Sequence, residues 1–280
     1  MLATIGLSAY MRLSGNGLGC SDWPACYGQA LRGVVAAGPG VAVARLAHRG
    51  VAVLALGLVL LMLMASQSPT PLPRERRLSV ALLLLALALA GLGIATPGAR
   101  VPAVALGNLL GGFAMLALCA RLAVAAPRPG AARDQWGLAG LLLLLAQVAS
   151  GALVSASYSA PACPELLACQ RAALSAGWDW QAINLWRDPV PGSPDMPGRL
   201  AILVSALHQA LTPLTVLLLA ALGLRAWRRG ARIDGVGLLL LTVVQLALGP
   251  ALVAAGLPIT LVLAHNLLAA LQLALLARLV

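Results

Sequence analysis

Gly137-Leu-Ala-Gly-Leu-Leu-Leu-Leu-Leu-Ala-Gln-Val-Ala-Ser-Gly-Ala-Leu-Val-Ser-Ala156 carries no charged side chain. Wound as a helix it is long enough to cross the hydrocarbon core of a bilayer, which takes roughly 20 apolar residues. Six further runs of this kind lie at roughly 41–65, 79–96, 101–124, 200–224, 236–256 and 258–280. The whole chain has the same character, with 61% hydrophobic and 10% charged residues and a mean hydropathy of +0.93. Such a composition cannot cover a soluble globule with polar surface, so lipid must be the solvent and an all-α integral membrane protein is predicted. A run from Leu2 to Tyr10 is too short to span. It reads as the tail of a first helix, of an expected eight, that begins before this sequence; a genuine half-helix is the alternative, and the lack of a basic n-region argues against a cleaved signal peptide.

A net charge of +11 and a pI near 11.1 would suggest nucleic acid in a soluble protein. Here the arginines are parked between apolar runs, which reads as topology and not as a polyanion site. Arg74, Arg76 and Arg77, then Arg128 and Arg133, then Arg225, Arg228, Arg229 and Arg232 fall on one side of the implied membrane. The positive-inside rule makes that side cytoplasmic and places the long connectors, roughly 12–40 and 157–199, outside. For a bacterial-looking chain the expected location is the inner (cytoplasmic) membrane. Trp178, Trp180 and Trp186 in the second connector read as interfacial or loop-packing residues.

The two long connectors share a cysteine spacing: Cys20 and Cys26 in the first, Cys163 and Cys169 in the second. An oxidising compartment would make each pair a disulfide; zinc is the alternative, although no histidine lies nearby. Cys119, inside an apolar run, reads as a small buried hydrophobe. The matched pairs suggest an internal duplication, as do His48 in Arg45-Leu-Ala-His-Arg49 against His208 in Ser205-Ala-Leu-His-Gln209, and Leu106-Gly-Asn-Leu-Leu110 against Ala264-His-Asn-Leu-Leu268. The expected architecture is two similar four-helix bundles, 1–125 and 126–280.

The chain has three histidines. His208 and His265 each lie about eight residues into their runs from the outer end, roughly 12 Å deep at 1.5 Å per residue. Two imidazoles at one level, on helices running in the same direction, have the geometry to clamp a haem iron from both faces, and Ala206, Ala210, Ala264 and Ala269 would leave room for a flat ring. The plainer reading has each histidine hydrogen-bonded to a neighbouring helix. No carboxylate or thiolate is expected at that depth to complete a zinc or copper shell.

The stretch Tyr10-Met-Arg-Leu-Ser-Gly-Asn-Gly-Leu-Gly-Cys-Ser-Asp-Trp-Pro-Ala-Cys-Tyr-Gly28 resembles the signature of the haem A synthase family, an Arg-Leu-Thr/Ser-Gly-Ser-Gly-Leu stretch before a Cys-Pro-Asp-Trp-Pro-Leu-Cys loop. The resemblance implies oxidation of a porphyrin methyl of haem O to a formyl group, giving haem A. It further implies a haem b cofactor between His208 and His265 in the C-terminal half, and a substrate site in the N-terminal half with His48 as the catalytic histidine. Haem O synthase or terminal-oxidase assembly proteins are the partners it suggests, besides the bilayer.

The sequence departs from the family pattern twice. Arg45 stands where the family has a glutamate, and Gly107 or Asn108 where a second N-terminal histidine is expected. Arg12, Arg45 and Arg49 are candidates to pair with haem propionates, with Asn108 also in the substrate pocket; snorkelling of Arg45 and Arg49 to headgroups is the alternative. Two other functions stay open: a non-catalytic bis-histidine haem protein in electron transfer or oxidase assembly, and a transporter, with Gly249-Pro250 as its possible helix break.

Overall fold

The computed structural model describes residues 1–15, 39–66, 73–96, 101–124, 134–157, 159–163, 165, 167–176, 184–186 and 199–280. The described residues are all-helical: α1 (Leu2–Gly15), α2 (Pro39–Ala65), α3 (Pro73–Ala95), α4 (Pro102–Leu122), α5 (Gln135–Ala156), a 3-10 turn (Ala160–Ala162), α6 (Ala168–Ala176), α7 (Arg199–Arg228), α8 (Arg232–Ala254) and α9 (Ile259–Leu279). Seven of them, α2 to α5 and α7 to α9, are long and apolar enough to cross a membrane. Each coincides with one of the seven apolar runs. The main shift is at α3, which starts at Pro73 instead of near residue 79, because proline suits the first helical turn and arginines tolerate it.

The helices form two rings that share a wall. In the first, α1 packs on α2, α2 on α3, α3 on α4 and α4 on α1. In the second, α5 packs on α7, α7 on α8, α8 on α9 and α9 on α5. The rings meet where α4 touches α5 and α9, and where α1 touches α9. The core sits at this junction: Ile5 and Phe113 from the first ring pack with Leu144, Leu219, Leu238, Leu273 and Leu276 of the second. The short α1 thus takes a full packing position in the first ring. Peripheral helices keep their apolar side chains outward, as lipid-facing helices do: 6% of the most apolar window of α2 is buried, against 39% for α4.

Polar ties gather at the helix ends. Asp134 caps α5 by accepting from the Gly137 N–H at 3.2 Å, and Arg225 at the end of α7 pairs with the same carboxylate at 2.8 Å. Burial alone would raise the Asp134 carboxyl, but the Gly137 amide and the Arg225 guanidinium hold it below its ordinary value. Arg278 pairs with Asp234 at 3.1 Å, and Arg74 donates to the carbonyls of Arg121 and Val124, closing the C-terminus of α4. The α7–α8 connection turns on Gly230, whose φ of +94° needs a residue without a Cβ. At the opposite ends, Arg12 Nε donates to Ser155 Oγ at 3.1 Å, and the Ala103 N–H donates to the Leu185 carbonyl at 2.9 Å. The connector after α6 therefore reaches over to the first ring.

Candidate functional site

The second ring encloses the site. His208 lies on α7, nine residues after Arg199, and His265 on α9, six residues after Ile259, so at 1.5 Å per residue they enter about 13 and 9 Å from their helix starts. Their ring centroids are 6.5 Å apart, with planes inclined at 72°. Two imidazoles sharing one metal through bonds of about 2 Å, each nitrogen about 1 Å from its ring centre, would have centroids a little over 6 Å apart. The observed gap is of that size.

A network from α5 holds the His208 ring. Ser150 Oγ lies 3.0 Å and Gln147 Nε2 3.2 Å from His208 Nδ1, and Gln147 Nε2 also reaches the His208 carbonyl at 3.2 Å and Thr212 Oγ1 at 3.0 Å. Gly151 lies against the ring itself: a Cβ there would stand 2.8 Å from His208 Cε1. His265 is held differently. Gln245 on α8 donates to its carbonyl at 3.1 Å, while His265 Nδ1 is buried with no hydrogen-bond partner among the described residues.

Around the two rings is a cavity of about 480 Å³, lined by both imidazoles and by α1, α4, α5, α7, α8 and α9. That size falls within the range of cofactor sites, roughly 300–1,000 Å³. Among the described residues no aspartate, glutamate, lysine or arginine lines it, so its described walls are apolar apart from hydroxyls, amides and the imidazoles. Pro213 of α7 and Pro250 of α8 both line it. Each removes a backbone donor from its helix, which loosens the wall next to the space. Among the described residues no three histidine, cysteine or acidic side chains converge as a metal cluster. The described residues thus offer an ion two neighbouring imidazoles and no closed shell. The spacing of the rings and the apolar walls fit an iron that brings its other four ligands in a flat macrocycle.

The other residues singled out from the sequence are dispersed. His48 is half-buried on α2, with Arg45 and Arg49 exposed on the same helix. Asn108 is half-buried on α4. Arg12 reaches Ser155, a residue lining the cavity of the second ring. Cys20, Cys26, Trp178 and Trp180 lie outside the described residues, and Trp186 is exposed. Of the four alanines expected to make room for a flat ring, Ala269 lines the cavity. Ala206 instead packs against Cys163, Cys169 and Leu203, and Ala210 faces outward.

Cys163 and Cys169 form a disulfide with Cα atoms 5.5 Å apart, while Cys119 is a free, half-buried thiol. Both disulfide sulfurs belong to buried residues that pack on Leu203 and Ala206, just outward of His208. Intact protein labelled with a thiol reagent under denaturing conditions should therefore leave Cys163 and Cys169 unmodified until a reductant is added. Labelling of both before reduction, read by peptide mass, would count against the bond.

Gln147, Ser150, Gly151, Thr212 and Gln245 escaped the sequence reading. A signal for them existed: a glutamine or serine within an otherwise apolar span is costly in lipid and so calls for a partner. Gln147, Ser150 and Gly151 are also spaced three and four apart, which puts them on one face of α5.

The fold and site define a class, a multi-pass helical membrane protein with a pair of imidazoles lining a cavity in one of its two helix rings. The family described as "COX15-CtaA: Cytochrome oxidase assembly protein" matches residues 101–277, well over half of the chain. The chain belongs to this family, that of the haem A synthases. The matched segment runs from α4 to α9 and includes both His208 and His265; His48 and the first cysteine pair precede it. No curated protein matches the chain.

Proposed function

We propose that the chain is a haem A synthase-type oxidoreductase of the bacterial inner membrane that converts a porphyrin methyl of haem O to a formyl group. His208 and His265 would hold a haem b cofactor in the second ring, and the first ring, residues 1–125 with His48, would receive the substrate. The carrying observation is the imidazole pair with centroids 6.5 Å apart in an apolar cavity. A haem bound there supplies one-electron transfer. The chain's own part is to grip it from both faces, keep water from it with apolar walls, and fix one imidazole through Ser150. The similar closing order of the two rings supports the reading of two related four-helix halves. The arginines of the Asp134 end then face the cytoplasm and the disulfide faces outside.

A second reading rests on the first ring. His48 is the only histidine before residue 208, and its neighbours Arg45 and Arg49 are cationic and exposed. A haem there would have one imidazole, which favours a non-catalytic haem protein acting in electron transfer or oxidase assembly. Co-expression with a haem O synthase, followed by pigment extraction and mass analysis, separates the two. The catalyst yields the formyl product or its hydroxymethyl precursor, and His48→Ala abolishes that product while leaving the b-type spectrum intact. A purified protein with one b-type haem and no product from haem O selects the second reading.

A further inference from the structure

The hydrogen bonds at His208 favour one of its two tautomers. With its single hydroxyl hydrogen given to the nearer acceptor, the Gln147 carbonyl at 2.8 Å, Ser150 presents its oxygen as an acceptor to His208 Nδ1, 3.0 Å away. Thr212 donates to the His208 carbonyl at 2.9 Å and therefore accepts from Gln147 Nε2 at 3.0 Å. The second Gln147 amide hydrogen goes to the His208 carbonyl at 3.2 Å. No amide hydrogen is left for His208 Nδ1, despite an equally close approach. All donors are used when Nδ1 itself carries hydrogen and gives it to Ser150, and Nε2 is then the nitrogen with a free lone pair.

We propose that Ser150 is a positioning residue, which fixes His208 as the Nδ1–H tautomer, presents Nε2 as the ligating atom, and makes the two axial imidazoles unequal. The proposal rests on reading the pair as a haem clamp. A ligating histidine whose other N–H donates to an oxygen is held in one orientation and is the more basic ligand. His208 has that support, and its ring is backed by Gly151, next to Ser150 on α5. His265 is tied only through its backbone carbonyl to Gln245, and its Nδ1 has no partner among the described residues. The His265 bond is accordingly the weaker of the two.

The test compares the parent protein carrying its b-type haem with Ser150→Ala and Ser150→Thr. Ser150→Ala should remain low-spin, lose haem to a scavenging apoglobin about tenfold faster, and show a more positive midpoint potential, because a more basic imidazole favours ferric iron. A tenfold loss of that preference corresponds to about 59 mV for a one-electron couple. Ser150→Thr keeps the hydroxyl and should restore both values. A Ser150→Ala protein with parental potential and parental haem loss overturns the proposal. Should Ser150→Ala fail to fold, nitrogen NMR of histidine-labelled, haem-free parent protein decides: a protonated Nδ1 at His208 upholds the assignment and a protonated Nε2 overturns it. A parent that never holds haem defeats the functional reading instead, and the tautomer measurement still stands.

Discussion

Replacing either His208 or His265 by alanine should remove the low-spin b-type spectrum of the purified protein entirely. Low-spin iron needs a strong ligand on each face, and among the described residues no other histidine, cysteine or acidic side chain lines the cavity except Cys163, which is tied in a disulfide. The two variants should differ in severity. His208→Ala also strips a partner from Ser150, leaving its buried hydroxyl oxygen without a donor at about 1–3 kcal/mol. His265→Ala leaves the Gln245 bond to its backbone in place. Visible spectroscopy with pigment extraction should therefore show no low-spin haem in either, and a lower yield of folded protein for His208→Ala. A parental spectrum in both variants would remove the cofactor assignment.

Gly151→Leu should empty the site without touching a ligand. Glycine inside a helix is ordinarily about 1 kcal/mol worse than alanine, so on helix propensity alone a larger residue would stabilise α5. The structure reverses that expectation. A Cβ at Gly151 would stand 2.8 Å from His208 Cε1 and 3.2 Å from its Nδ1, and Ser150 restrains the ring from retreating. Overpacking of this kind costs about 1–3 kcal/mol, roughly a five- to hundredfold loss of haem occupancy. Gly151→Ala should lie between leucine and the parent. Haem-to-protein ratios after purification measure the effect, and an undiminished ratio in Gly151→Leu would mean the ring sits elsewhere when haem is bound.

The spans were legible because the bilayer imposes a length: uncharged runs of about 20 residues leave no other assignment, and the seven runs became seven helices with ends shifted by a few residues. The juxtaposition of His208 and His265 was legible too, since equal depth on helices running the same way already restricts where two side chains can meet. Which face of each helix points inward was not. A helix apolar on all sides has no stripe to read, so Ala206 and Ala210 looked suited to line a cavity although one packs against a disulfide and the other faces outward. Arg12 was grouped with the substrate half by sequence order. In the fold it reaches across to Ser155, a contact that depends on how the two rings abut.

The shared wall between the rings sets an order on how the pocket comes into being. Leu13 and Phe113 belong to helices made early, yet both line the cavity that holds His208 and His265. Neither half of the chain can complete that cavity by itself, and α9, which brings His265, follows every other helix described and packs on α1, α4, α5 and α8. Until α9 docks, one imidazole and one wall are missing. On the proposed haem-clamp reading cofactor capture is a late event in biogenesis, and a ribosome-bound chain arrested before α9 should be colourless.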